Sequence, residues 1–335
     1  MRRGVLIVLA IMLSQILMAQ SETKEYPGIV FGRIYTGFYY SFNDQIEPQK
    51  GFDFTTGILG YTRQLNENIK ATLLYDVTRT TNFSGLDTLG FEGSKYTAFL
   101  KMAQIDWEFQ PKFKLSVGQL LNEQYLTVQD KWWGFRYVDV TMQEKFKFGM
   151  PADFGARLTY SPLKSIQLSY SVVNGEGPFR HQDADGLFLH SFNVEYRPIK
   201  NLLIKTYVAS ETAPEGDELD NKEIISVFIG YISEALMSGF EANYVNNYGF
   251  EKEKRLRGIS IYGSKTIAQK LKALARLDYF DPGLLQGAEY NYYLLAGVEF
   301  QPGRNFGCAL TYRVNTYQIQ GVALPQLNVN FGIKF

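Results

Sequence analysis

The 335-residue sequence predicts an all-β fold: a closed, 16-stranded antiparallel β-barrel that spans a membrane, with a long third loop folded into its lumen. Three observations predict it. Apolar and polar residues alternate with period two over almost the whole chain, and no stretch longer than a turn or two keeps a period of 3.6. The breaks in this alternation are of two kinds, short and long, and the kinds take turns along the chain. The runs between breaks are about 10 to 14 residues, which suits tilted strands crossing a hydrocarbon band of roughly 25 Å, whereas strands of soluble sandwiches average about 5 to 6.

Composition agrees and narrows the possible chemistry. The chain holds 25 Phe, 23 Tyr, 3 Trp and 30 Gly with only 20% charged residues, too aromatic for a disordered chain. Lys+Arg and Asp+Glu both number 34, so no basic excess points to nucleic acid. One cysteine, Cys308, excludes an internal disulfide framework, and two histidines, His181 and His190, offer little for acid–base or metal chemistry. No phosphate-cradling glycine loop, His-Glu-x-x-His helix or Gly-x-Ser-x-Gly elbow occurs, so the reading is of a chain that is not an enzyme and carries no cofactor.

In chain order, Arg2 and Arg3 precede an uncharged apolar run from Gly4 to Met18, then Ala19, Gln20 and a polar stretch. This is the pattern of a secretory signal peptide over 1–19, cleaved after Ala19, with the barrel formed by 20–335. The apolar run is below the roughly 18 to 20 residues a spanning helix needs. Cleavage removes two arginines and leaves 32 cations against 34 acids.

Within 20–335, Ile69, Ala71, Leu73, Tyr75 and Val77 share one face against Lys70, Thr72, Asp76 and Thr78. Ile166, Leu168, Tyr170 and Val172 oppose Gln167, Ser169 and Ser171; Phe188, Phe192, Val194 and Tyr196 oppose Ser191, Asn193, Glu195 and Arg197. Tyr290, Tyr292, Leu294, Ala296, Val298 and Phe300 oppose Asn291 and Glu299, and the last strand sets Leu327, Val329, Phe331, Ile333 and Phe335 against Gln326, Asn328, Asn330 and Lys334. Parity breaks at Ile58-Leu59, at Ile224-Ile225 and around Met102 to Ile105, the last read as a bulge. Seven tight breaks, at 66–68, 111–112, 161–164, 197–201, 233–234, 267–269 and 301–305, separate eight long ones at 43–51, 82–93, 122–150, 174–186, 212–221, 249–255, 282–287 and 318–323. Fifteen connections imply sixteen strands. The polar face is too hydrophilic for a dry core, so it lines water inside, and closure is required because an open edge in lipid leaves backbone groups unpaired.

Sixteen strands leave an aqueous channel, so something must set what passes. The connection 122–150 is by far the longest and holds Trp132-Trp133-Gly134, Arg136-Tyr137 and Glu144-Lys145-Phe146-Lys147. It is expected to fold inward, its Trp and Phe side chains packing on the wall and its charges at the constriction: Asp130, Lys131, Arg136, Asp139, Glu144, Lys145 and Lys147. Arg157, Lys205, Lys272, Arg276 and Arg313 are expected to point into the pore, with Asp76, Glu195, Glu241, Asp278 and Glu299 beside them. The signs nearly balance, which favours a general channel with at most a mild anion preference over a strongly selective one. The acidic stretch Glu211 to Glu223 reads as a solvated loop, His181, Asp183 and Asp185 lack the spacing of a calcium loop, His190 lies on the lipid-side parity, and Cys308 shares the apolar face of Phe306 and Leu310.

A resemblance joins these readings. Phe99 to Trp107, Gly118-Gln119, Gln129 to Tyr137 and Lys147 to Gly155, with Phe52-Asp53 leading to Leu59-Gly60-Tyr61, resemble the porins of Bacteroidota-type outer membranes and, more loosely, the phosphate-selective porin O and P family. The resemblance implies a 16-stranded diffusion channel for small hydrophilic solutes or ions, often trimeric, with the third loop as constriction. It places the chain in an outer membrane, among lipid and lipopolysaccharide. The chain lacks the crowded Arg/Lys ladder that phosphate selectivity needs. The terminal Phe335 resembles the insertion signal read by the barrel-assembly machinery. A different task remains open to such a barrel: a non-conducting scaffold or subunit of an export or surface assembly.

Overall fold

The computed structural model describes residues 26–44, 47–79, 96–124, 132–178, 186–283, 291–317 and 322–335. The expected signal peptide lies outside these residues. Sixteen strands follow one another: β1 (Ile29–Ser41), β2 (Lys50–Gln64), β3 (Ile69–Arg79), β4 (Tyr96–Gln110), β5 (Phe113–Leu121), β6 (Ala152–Leu163), β7 (Ile166–Val173), β8 (Leu189–Tyr196), β9 (Leu202–Glu211), β10 (Lys222–Ile232), β11 (Leu236–Asn246), β12 (Arg255–Ala268), β13 (Leu271–Asp281), β14 (Asn291–Gly303), β15 (Phe306–Tyr317) and β16 (Val322–Lys334). Each pairs antiparallel with its chain neighbours, and β1 pairs with β16, so the sheet closes without an edge. At the seam, Gly32 and Phe335 exchange backbone hydrogen bonds of 2.8 and 3.1 Å, and the Phe335 ring lies over Gly32.

The period-two pattern sorts residues by face. Ile225, Phe240, Ile259, Leu277, Leu294 and Leu310 are exposed on the outside, while their neighbours Ser226, Glu241, Ser260, Asp278 and Thr311 are buried on the inside. An apolar exterior carried round the barrel over a polar interior suits lipid outside and would be untenable in water.

The short breaks join strands at one end of the barrel and the long ones at the other. The strands are 8 to 15 residues, a wider range than the sequence suggests, because pairing runs through irregularities that look like turn residues. Pro162 and Leu163 belong to β6, Ile267 and Ala268 to β12, and Gln301 to Gly303 to β14, and each strand enters its turn through a register shift. A bulge is also where a mid-sheet proline is tolerated. The parity break near Met102 is a bulge one residue earlier: Tyr75 pairs with Leu100 and Leu74 with Met102, leaving Lys101 unpaired in the ladder. The two other breaks are apolar residues turned inward, since Ile58 and Ile224 are buried while Leu59 and Ile225 face out.

Gly118 in β5 is required by geometry. Its φ is +116°, and a Cβ there would sit 2.1 Å from the Ala103 carbonyl oxygen of β4. Gly118→Ala is expected to cost about 1–3 kcal/mol of barrel stability through that strain. Thermal unfolding of the detergent-folded protein measures it, and an unchanged transition would contradict the close approach.

Candidate functional site

The connection between β5 and β6 includes one helical turn, α1 (Met142–Lys145), entered from an extended Thr141 and too short to hold the connection by itself. It is held instead by the inner wall. Trp133 and Met142 are fully buried and Phe148 nearly so; burial of a Met or Phe side chain is worth about 1.5–3 kcal/mol each. Trp132 packs edge-on to Phe228 of β10, Trp133 edge-on to Tyr262 of β12, and Phe146 stacks on Phe280 of β13 at 4.3 Å. Tyr137 donates to Glu299 of β14 at 2.8 Å and lies 6.2 Å from the Tyr35 ring of β1. A side chain at Gly230, Gly258, Gly307 or Gly332 would collide with Trp132, Phe148 or Tyr137, so wall glycines make the room these rings occupy.

The wall facing this segment is therefore not uniformly hydrophilic. Leu203, Phe228, Met237, Tyr262, Leu274 and Leu295 point inward and form one buried cluster with Trp132, Trp133, Phe135, Tyr137 and Val138. Ile224, Val245 and Leu256 form a second with Met142 and Phe148. The expectation of a wholly wet inner face fails where the segment lands.

Wall cations hold the segment's backbone. Arg313 of β15 donates to the Val138 carbonyl at 2.5 Å and to Asn330 at 2.9 Å; Arg276 of β13 donates to the Val140 carbonyl. Arg157 of β6 donates to the Leu121 carbonyl at 2.5 Å, and Lys205 of β9 to the Glu123 carbonyl. Gln124 and Gln143 add side-chain bonds to Ser226 and Asn243 of 2.7 and 2.8 Å. These cations were expected to face pore water. Arg157, Lys205 and Arg276 are instead buried, because the segment's carbonyls are unsatisfied and a guanidinium or ammonium is the strongest donor available.

The segment's own charges are paired in the same way. Arg136 grips Glu144 through two bonds of 2.5 and 2.8 Å. Asp139 accepts from Tyr293 at 2.5 Å, lies 3.4 Å from Lys145, and its backbone carbonyl accepts from the Trp133 indole at 2.7 Å. Lys145 sits 3.1 Å from the centre of the Tyr293 ring. Arg276 forks onto Asp278 at 2.5 to 3.0 Å and lies over the rings of Trp133 and Tyr293. Of the described residues expected to face water here, only Lys147 is exposed, at a left-handed φ of 55°. Asp130 and Lys131 lie outside the described residues. Among the wall residues, Glu195 pairs with Arg197 at 2.6 Å, Lys272 lies 3.4 Å from Glu299 and stays partly exposed, and Asp278 is fully buried under Arg276.

Burial alone would raise the Asp139 carboxyl, but Lys145, then Arg313 and Arg276, and the Tyr293 hydroxyl outweigh it and hold it well below the usual carboxylate range. Burial likewise opposes Glu144 ionisation, and Arg136 overcomes it. Burial lowers Lys145 despite Asp139. For a carboxylate with a depressed folded value, the stability it contributes is present above the unfolded value of about 4 and is lost only as pH falls through the folded one. Conductance and ion preference are therefore expected to be constant from pH 7 to pH 5. Single-channel recordings at these pH values check it, and a change at pH 5 would contradict the pairing.

Between the segment and the far wall a cleft of about 370 Å³ remains. Arg136, Val138, Asp139, Val140 and Glu144 line one side; Tyr39 of β1, Asp53, Thr55 and Thr56 of β2, and Gln326, Asn328 and Asn330 of β16 line the other, with Arg313 between. Across the lumen, Lys101 of β4 bonds Asp76 at 2.5 Å and lies near enough to the Arg136–Glu144 pair to influence it.

Sequence reasoning assigned no role to Tyr293, Lys101 or Glu123, and singled out Tyr137 without a partner for it, yet all four anchor this arrangement. Tyr293 had a signal, since it shares the inward parity of Asn291 and Glu299. The other sequence features stay peripheral. Glu211 pairs with Lys222, Glu215, Asp217 and Glu218 are exposed, and no group of three or more His, Cys, Asp or Glu fit for a metal occurs among the described residues. His190 faces out and bonds the Tyr170 hydroxyl at 2.7 Å, and Cys308 is partly buried. His181, Asp183 and Asp185 lie outside the described residues.

No protein-family model and no curated protein matches the sequence. Solved structures do match in shape. The anion-selective porin of Comamonas acidovorans superposes with a TM-score of 0.69 at 10% identity, covering 93% of this chain and 100% of that one. OmpF of Salmonella typhi, in complex with daunomycin, gives 0.67 at 11% identity over 92% of this chain and 97% of that one. OmpT of Vibrio cholerae in its trimer form gives 0.62 at 10% identity over 93% and 100%. At such identities the likeness is one of fold: a porin-type barrel.

Proposed function

We propose that the protein is an outer-membrane porin, a passive diffusion channel for small hydrophilic solutes or ions, in which the segment 132–151 lies across the lumen and sets the aperture. The observation that carries this is the set of wall positions the segment touches. They are inward-parity residues of β1 and of β10 to β16, and a polar cleft is left against β1, β2 and β16. The described residues of the constriction are Arg136, Asp139, Glu144 and Lys145, with the exposed Lys147 beside them; Arg276 and Arg313 serve on the wall by positioning the segment. The reading needs no enzymatic step and no cofactor.

In this reading residues 1–19 direct export and are removed, Phe335 engages the barrel-assembly machinery, and lipid and lipopolysaccharide surround the outer face. A homotrimer is the assembly we favour, by analogy with the trimer form of the Vibrio protein. The test is a planar-bilayer recording of the purified, folded protein. Steady stepwise conductance is expected; folded protein without conductance would sink the channel and leave a scaffold of an export or surface assembly.

A further inference from the structure

Resting on the channel reading, we infer that the aperture favours uncharged solutes bearing hydroxyl or carboxamide groups over ions of either sign. The first ground is electrostatic. Each charge among the described residues on the segment side of the cleft has an opposite partner: Arg136 with Glu144, and Asp139 with Lys145, Arg276 and Arg313 around it. Nearby, Lys101 is paired with Asp76 and Arg276 with Asp278. Arg313 and Asp53 of the lining are one of each sign. A pore selects ions by a ring of one sign. Here the opposite signs cancel within a few ångströms, and an ion shedding part of its water gains no uncompensated charge in return.

The second ground is the chemistry of the facing wall, which presents hydroxyls and carboxamides. A register shift between Tyr35 and Thr36 leaves Thr55 unopposed in the β1–β2 ladder, and both Thr55 and Thr56 reach the cleft. Their hydroxyl hydrogens are spent on the carbonyls of Tyr35 and Thr55, at 3.2 and 2.7 Å, so their oxygens are left to accept. Across β1 stand Gln326, Asn328 and Asn330. Asn328 is 5% exposed, yet its amide nitrogen has no hydrogen-bond partner among the described residues. An orphaned buried donor costs about 1–3 kcal/mol, so Asn328 keeps an unspent hydrogen-bonding group at the edge of the cleft. Tyr39, paired with Asn328 in the β1–β16 register, adds a ring to the same lining. A polyol both donates and accepts, and can exchange its water bonds for these one by one. A simple ion cannot do both.

The test uses the mature full chain in liposomes and in planar bilayers. Swelling rates are compared for glucose, sodium gluconate and glucosamine hydrochloride, which are close in size and differ in charge, and reversal potentials are read in a potassium chloride gradient. Glucose is expected to enter about fivefold faster than either charged analogue, with a reversal potential near zero. The double variant Asn328→Asp, Gln326→Glu should turn the channel cation-preferring and slow gluconate further. A conducting protein that admits gluconate or glucosamine as fast as glucose, or that is strongly selective for one ion sign, overturns this inference and leaves the channel intact. Absence of both conductance and swelling overturns the channel reading itself.

Discussion

Replacing residues 132–147 by a short glycine–serine linker is expected to raise single-channel conductance roughly threefold, because a 16-stranded barrel without an inward segment encloses an open aqueous channel. The deletion removes Trp132, Trp133, Tyr137 and Phe148's neighbour Met142 from the wall they cover, and with them the acids Asp139 and Glu144. It leaves Arg276 and Arg313 in place, deprived of the Val140 and Val138 carbonyls they bond. Arg276 keeps Asp278, whereas Arg313 keeps only neutral partners at Asn330 and Thr311 among its side-chain bonds. The enlarged pore should therefore also lean towards anions. The sixteen-stranded ladder does not depend on the segment, so the variant should still fold and resist denaturant as a barrel. Folded protein with unchanged conductance would mean that the segment does not narrow the pore.

The strand count was legible because its evidence is local. Asn66 to Asn68 or Arg197 to Asn201 announce a turn without reference to anything distant, and the alternation of short and long connections follows from the two ends of a barrel. The inward set of charges was legible for the same reason, since Asp76, Glu241, Asp278 and Glu299 differ in parity from lipid-facing neighbours such as Tyr75, Phe240, Leu277 and Val298. What the charges do was not legible. Tyr293 and Asp139 are 154 residues apart, and Arg313 and Val138 are 175 apart. No period in the chain encodes such meetings. One partial signal was there: Arg276 and Asp278 are two apart on one strand and so share a face, which marks a pair more readily than two pore-lining charges. The inward apolar residues were misread for a connected reason. Ile224 and Phe228 look like broken parity or an odd hydrophobe in a wet lumen until Met142 and Trp132 are placed against them.

Asp139→Ala tests whether that long-range network, rather than apolar packing alone, holds the segment down. The carboxylate lies among three cations, Lys145, Arg276 and Arg313, and its removal leaves Lys145 with no ion partner within 4.0 Å among the described residues. Breaking a buried ion pair on one side costs about 3–5 kcal/mol, and the partial access of Lys145 to lumen water places this case near the lower end. Tyr293→Phe removes only the hydroxyl bonded to Asp139 and keeps the ring beneath Lys145, so about 1 kcal/mol is expected. The two variants should differ in function as well as in melting. With Asp139 gone, the segment should detach intermittently from β13 to β15, and recordings should flicker between the parent conductance and a larger one. With Tyr293→Phe the trace should stay near the parent level. If both variants melt and conduct alike, the apolar clusters alone secure the segment, and the paired charges contribute only to the field at the aperture.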